Sequence, residues 1–314
     1  MSNVNLNEKI DLPLDADEVK DGDAFVQGED VYIAKKVGET SEGDFEDDVE
    51  SHLGKVGWKT FEKERASAEA AGKSKWAVAQ QDYDRALAIK KDSLIGFVKE
   101  TQPKEWAKIE GLYGDKTEKK FLERVESVLE PHQDSGGLVE VIRKGFDMAP
   151  GAHFRIVYFK PANDKNPDLV AKYKANRFEV VRQLAYGNSK SNEFDSVDVV
   201  LFLNGIPIVT MELKNNLTGQ RTAHAVKQYK EDRDPKELLF QPNRRAIVHF
   251  ALDSETVEMC TWLKGKSSFF LPFNKGNGMS GGGNPVNENG YRTEYLYTNV
   301  LAPDSLLDII QRFV

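Results

Sequence analysis

Two apolar runs, Val197 to Leu203 and Ile206 to Leu213, flank the dipeptide Asn204-Gly205. Asn and Gly tolerate the positive φ that a tight turn needs, so the pattern predicts a β-hairpin. Its strands are apolar on both faces, and strands mixed with helices along the chain imply an α/β sheet covered on both faces. With the turn centred on Gly205, facing residues have numbers that sum to 410, twice 205, and Asp198 lies opposite Glu212. Their side chains would then be about 5 Å apart. Alternation along the strand puts Lys214 on the face of Glu212 and turns Leu213 away. A slip of one residue would break the alignment.

The rest of the chain can be read around this hairpin. Residues 1–40 are rich in Asp, Glu and Gly and read as an acidic, loosely ordered arm. From Asp44, the positions Phe45, Val49, Leu53 and Val56 recur at helical spacing, with Gly57 as the stop and Glu46 and Glu50 beside the stripe. Residues 64–130 are charged and Ala-rich, with Phe121, Val125, Val128 and Leu129 at helical spacing, and predict a helical insertion. After Gly136-Gly137 come β-rich runs at Leu138 to Ile142, Phe154 to Phe159 and Phe178 to Leu184, and then the hairpin. A helix is predicted over Thr222 to Lys230 with Ala223, Val226 and Tyr229 on one face. Strands follow at Ala246 to Leu252 and Val257 to Leu263, joined by Asp253-Ser254-Glu255. A Gly/Asn-rich loop, 274–293, precedes a capped helix start at Asp304. The expected division is an arm (1–40), a core (41–263) and a C-terminal loop and helix (264–314).

Composition narrows the function. With 39% hydrophobic and 30% charged residues, and no apolar run of about 18 residues, the chain reads as soluble and cytoplasmic, with no membrane partner. The lone Cys260 excludes disulfides and cysteine zinc sites and reads as a core residue. The five histidines lack the spacing of a zinc enzyme. A net charge of −8 argues against a chain that grips nucleic acid unaided, so any such binding is local or borrowed. The basic residues nearest the hairpin end in sequence, Arg221, Arg233, Arg244 and Arg245, are candidates for phosphate contact.

Two carboxylates at the end of apolar strands repel one another and call for a cation between them. All-oxygen ligation suits Mg²⁺ or Mn²⁺, with phosphate and water completing the shell. Lys214 could orient or deprotonate an attacking water, or neutralise charge on the phosphate.

Asp198, Glu212, Leu213 and Lys214 match the D…(D/E)xK pattern of the PD-(D/E)XK nuclease superfamily. The stretch from Asp198 to Asn215 more narrowly resembles the N-terminal nuclease domain of the R (restriction) subunit of type I restriction-modification enzymes. Arg177 to Leu184, Gln228 to Arg233 and Phe270 to Asn274 look like the same family, and the likeness runs from about residue 41 to the C-terminus. The resemblance implies a restriction-endonuclease-like mixed β-sheet flanked by helices, and Mg²⁺-dependent hydrolysis of unmodified foreign DNA. It implies that Asp198, Glu212 and the backbone carbonyl of Leu213 hold the metal, that Lys214 is the catalytic lysine, and that Glu46 or Glu50 completes the site. It also implies DNA contact by Gln228 and Tyr229, although Ala225 stands where many relatives carry a Gln four residues before the Tyr. The implied partners are DNA, the methyltransferase and specificity subunits, and a motor domain of the same polypeptide.

A motor needs a GxxxxGK[ST] phosphate loop. Gly72-Lys73-Ser74 and Gly265-Lys266-Ser267 imitate its end, but Ser67 and Cys260 stand where the first glycine belongs, so no ATP site is expected. Two other readings compete: a stand-alone nuclease of the same fold, and a non-catalytic docking module of the restriction complex.

Overall fold

The computed structural model describes residues 42–131, 136–188, 195–215, 219–278 and 281–314, together with four short strands before residue 38. Those four, Asn3–Asn5 with Lys35–Val37 and Ala24–Gln27 with Asp30–Ile33, are all that is described of the predicted arm. No helix among the described residues is long and apolar enough to cross a membrane.

The fold is mixed α/β. Six strands form one sheet in sequence order: β1 (Phe178–Ala185), β2 (Ser196–Leu203), β3 (Ile206–Leu213), β4 (Val248–Leu252), β5 (Val257–Cys260) and β6 (Leu271–Pro272). All neighbours are antiparallel except β3 and β4, whose parallel pairing requires a crossover. The helix Thr222–Glu231 supplies it. The β2–β3 turn follows from its chemistry: Asn204 and Gly205 both take positive φ, 51° and 82°. Near the turn, facing residues sum to 409, as in Leu203↔Ile206. A bulge then shifts the sum to 410, giving Leu201↔Val209 and Val199↔Met211, and continuing that register puts Asp198 opposite Glu212.

Helices cover both faces. On one side pack α1 (Glu42–Lys55), α3 (Lys91–Thr101), α4 (Pro103–Tyr113), α5 (Thr117–Leu129), α6 (Leu138–Lys144) and α9 (Pro303–Arg312), with α7 (Pro167–Lys174) touching this cluster through Tyr173 and α2 (Glu62–Ala70) contributing nothing to it. The predicted stripe of α1 goes inside, with Phe45, Val49 and Leu53 fully buried. Each contributes about 1.5–3 kcal/mol of apolar burial. On the other side the crossover helix, α8, contributes Ala225 and Tyr229 to a second apolar cluster that includes Val200, Phe202 and Ala251.

Several local expectations change. Leu138 to Ile142 is helix, not strand: a short apolar run fits either, and Gly137 and Gly145, at φ 85° and 77°, close both ends of one helix. Of Phe154 to Phe159 only Phe154 is in a strand, Ala152–Phe154. In α8 the buried residues are Thr222, Ala225 and Tyr229, while Ala223 is exposed. Asp253 Oδ2 accepts from Thr222 N at 2.9 Å and helps set the helix's rotation. Strands β4 and β5 start later or end sooner than their apolar runs. Asp304 lies in the first turn of α9 after Pro303 and pairs with Lys160 and Tyr173 instead of capping the helix.

Candidate active site

The C-terminal end of β3 meets the N-terminal end of β2, and the carboxylates gather there. Glu212 is 0% exposed and Asp198 8%. Asp198 Oδ2 accepts from Leu213 N at 2.8 Å, which ties its side chain to the neighbouring strand beside Glu212. Lys214 N donates to Leu252 O at 2.9 Å and carries the ladder one residue past β3. Alternation therefore puts Lys214, itself buried, on the side of Glu212.

Arg233, just beyond α8, donates through Nε to Glu212 Oε1 at 2.7 Å. The second oxygen, Oε2, is buried and has no hydrogen-bond partner among the described residues. Burial, and then the charge of Asp198, push the Glu212 carboxyl well above its usual range, and Arg233 only partly opposes this. An ionised Glu212 needs a further cation on its Oε2 side.

Helix α1 brings a third acid. Glu46 is buried, and Arg182 donates to its Oε2 from Nη2 at 2.7 Å and from Nε at 3.2 Å. Gln183 Nε2 donates to Glu46 Oε1 at 3.1 Å and to Asp198 Oδ1 at 3.3 Å. Burial and the Asp198 charge raise the Glu46 carboxyl too, against the pull of Arg182. Glu50 is occupied differently: both terminal guanidinium nitrogens of Arg65 donate to it, Nη1 at 2.7 Å, and Arg182 Nη1 lies at 3.3 Å. Of the two helix acids, the geometry puts Glu46 beside Asp198.

The expected DNA contact does not fit Tyr229. It is fully buried, and its hydroxyl bonds Thr210 Oγ1 at 2.8 Å, which in turn bonds His249 Nδ1 at 2.7 Å. Gln228 is partly exposed on the same helix. Arg233 is also removed from the phosphate-contact candidates, because it serves Glu212 from inside. So is Arg245, fully buried against Leu87 O. Arg182 and Gln183 were not singled out by sequence reasoning, since adjacent strand residues normally point apart.

Among the described residues no three His, Cys, Asp or Glu side chains close around one point. The Glu212 Oε2 beside Asp198 is a buried acceptor that a cation would satisfy.

The chain matches no curated protein. It does match the family described as the type I restriction enzyme R protein N terminus over residues 39–268, a span that includes α1, the hairpin and α8. As that span is most of its length, the chain belongs to the family of type I restriction enzyme R protein N-terminal regions.

Proposed function

We propose that this chain is the Mg²⁺-dependent endonuclease domain of a type I restriction-modification enzyme, hydrolysing phosphodiester bonds of unmodified foreign DNA. The observation that carries the reading is the buried, half-partnered carboxylate of Glu212 beside Asp198. A scaffold gains nothing from two such acids at a strand end, whereas a divalent ion satisfies both. Asp198, Glu212 and the Leu213 carbonyl would hold the ion, with Glu46 next to them. When bound, it supplies Lewis acidity to the phosphate and the countercharge the acids need. Arg233 keeps Glu212 oriented, and Lys214 offers its ammonium to the attacking water or to charge growing on the phosphate oxygens.

The partners in this reading are DNA, the methyltransferase and specificity subunits, and the motor of the same polypeptide, with cytoplasmic DNA as the target. The test is plasmid cleavage by the assembled enzyme carrying Lys214→Ala, beside Mn²⁺ titration of the purified chain. Cleavage should fall by at least about 100-fold while Mn²⁺ still binds, because an ammonium acting on the transition state contributes several kcal/mol. Cleavage at the wild-type rate would reject the role of Lys214. Undiminished Mn²⁺ binding by Asp198→Ala would reject the metal site.

A further inference from the structure

Gln183 has a backbone that regular strands exclude. Its φ is 48°, in the left-handed region, though it lies inside β1 and is not glycine. The pleat changes phase at this point. Val181 and Leu184, three residues apart, both face the α8 side, as do Val197 and Val200 on β2. Between them Val197 pairs with Leu184 and Val199 with Arg182, while Asp198 and Gln183 form no ladder pair. The kink has a direct consequence. Adjacent strand residues normally point to opposite faces, yet Arg182 and Gln183 both reach Glu46.

The kink is held from outside the strand. Gln80 donates from Nε2 to Gln183 O at 2.8 Å, and its Oε1 accepts from Ala185 N at 3.0 Å. The side chain is held as well: Ser196 Oγ donates to Gln183 Oε1 at 3.0 Å, so Nε2 faces Glu46 and Asp198. A flipped amide would set its carbonyl oxygen against two carboxylates, so chemistry decides the orientation. Strained backbone that the surroundings hold in place is characteristic of functional sites.

We propose that Gln183 is a positioning residue of the metal centre, its amide fixing the helix acid Glu46 against the hairpin acid Asp198. This rests on the metal-site reading above. A neutral donor is the suitable choice here. Arg182 already gives Glu46 a positive charge, and the neutral amide joins Glu46 to Asp198 without adding a second one beside Asp198, as a Lys or Arg in the same place would. Outer residues that orient ligands in this way typically change metal affinity by about 10–100-fold when removed.

The test is Mn²⁺ affinity of the purified chain, measured by calorimetry and by the electron paramagnetic resonance signal of free Mn²⁺, with a metal-free thermal melt alongside. Gln183→Gly keeps the positive φ at no steric cost and removes the amide. Gln183→Met keeps the length and removes the donors. Both should melt cooperatively without metal, and both should bind Mn²⁺ about 10–100-fold more weakly. Gln183→Lys should abolish binding. If Asp198→Ala loses Mn²⁺ while Gln183→Gly and Gln183→Met bind like wild type, the positioning role falls and the metal site stands. If Asp198→Ala binds like wild type, both fall. Loss of the cooperative melt in both of these Gln183 variants would make the residue a folding element and overturn the proposal as well.

Discussion

Glu212 sits where ionisation costs most: fully buried, next to Asp198, with one oxygen on Arg233 and the other without a hydrogen-bond partner among the described residues. The metal-free protein should therefore be destabilised at neutral pH by the groups proposed to hold the ion. Asp198→Asn removes the charge that raises both Glu212 and Glu46, and the amide oxygen can still accept from Leu213 N. We expect it to raise the metal-free melting temperature by about 2–4 °C, equivalent to about 1 kcal/mol, and to abolish the response to Mg²⁺. A lower melting temperature would mean that Asp198 is chiefly structural. The pH dependence follows from the same groups. Both folded carboxyls lie above their ordinary value of 4.5, so between that value and the raised ones the folded state binds more protons than the unfolded. Their unfavourable contribution is present at neutral pH and is relieved as pH falls through the raised values. Bound metal requires the ionised forms, so the Mg²⁺-induced gain in melting temperature should be largest near neutrality and shrink as pH falls. Melts across pH with and without Mg²⁺ measure this; a gain that grows toward acid pH would contradict the assignment.

The β2–β3 hairpin is the element on which the site depends, and its turn tolerates little change. Gly205 has φ 82°, and a Cβ there would lie 2.8 Å from Leu94 N and closer still to Lys90 O. Gly205→Ala should cost at least about 2 kcal/mol from combined strain and clash, read as a lower urea midpoint with an unchanged slope. A midpoint equal to that of wild type would show that the turn relaxes and is not locked against Lys90 and the first turn of α3. Turn chemistry of this kind is local, which is why the hairpin and the stripe of α1 were legible in the sequence, whereas Asp198 faces Glu212 as expected only because a bulge between Leu201 and Phe202 offsets a turn one residue tighter than the one read. What was not legible depends on distant partners. The run at Leu138 fits strand or helix until the flanking glycines are seen to close a helix. Arg233, 21 residues after Glu212, looks like a solvated charge at a helix end until the crossover folds it back onto that carboxylate. Gln183 was hidden because one left-handed residue reverses the alternation on which strand reading relies.

Taken as a whole, the molecule keeps its arginines for itself near the site. Arg65, Arg182 and Arg233 are each spent on a buried acid, Glu50, Glu46 and Glu212, so they offer little to a DNA backbone. The full chain carries a net charge of −8, and phosphate contacts supply most non-specific DNA affinity. Productive binding should then come from other parts of the enzyme that hold DNA and deliver it to this site. With no phosphate-loop pattern in the sequence, the chain should also show no response to ATP. The purified chain should nick supercoiled plasmid weakly, only with Mg²⁺ or Mn²⁺, only at high protein concentration, and with a rate that falls steeply as salt is raised. The assembled enzyme, assayed beside it on unmodified DNA, should cut far faster and require ATP. Robust, sequence-specific cutting by the chain alone would overturn this dependence on the complex and favour a nuclease that works unaided, because the acidic surface would then have to contain a DNA-binding face that its charge does not predict.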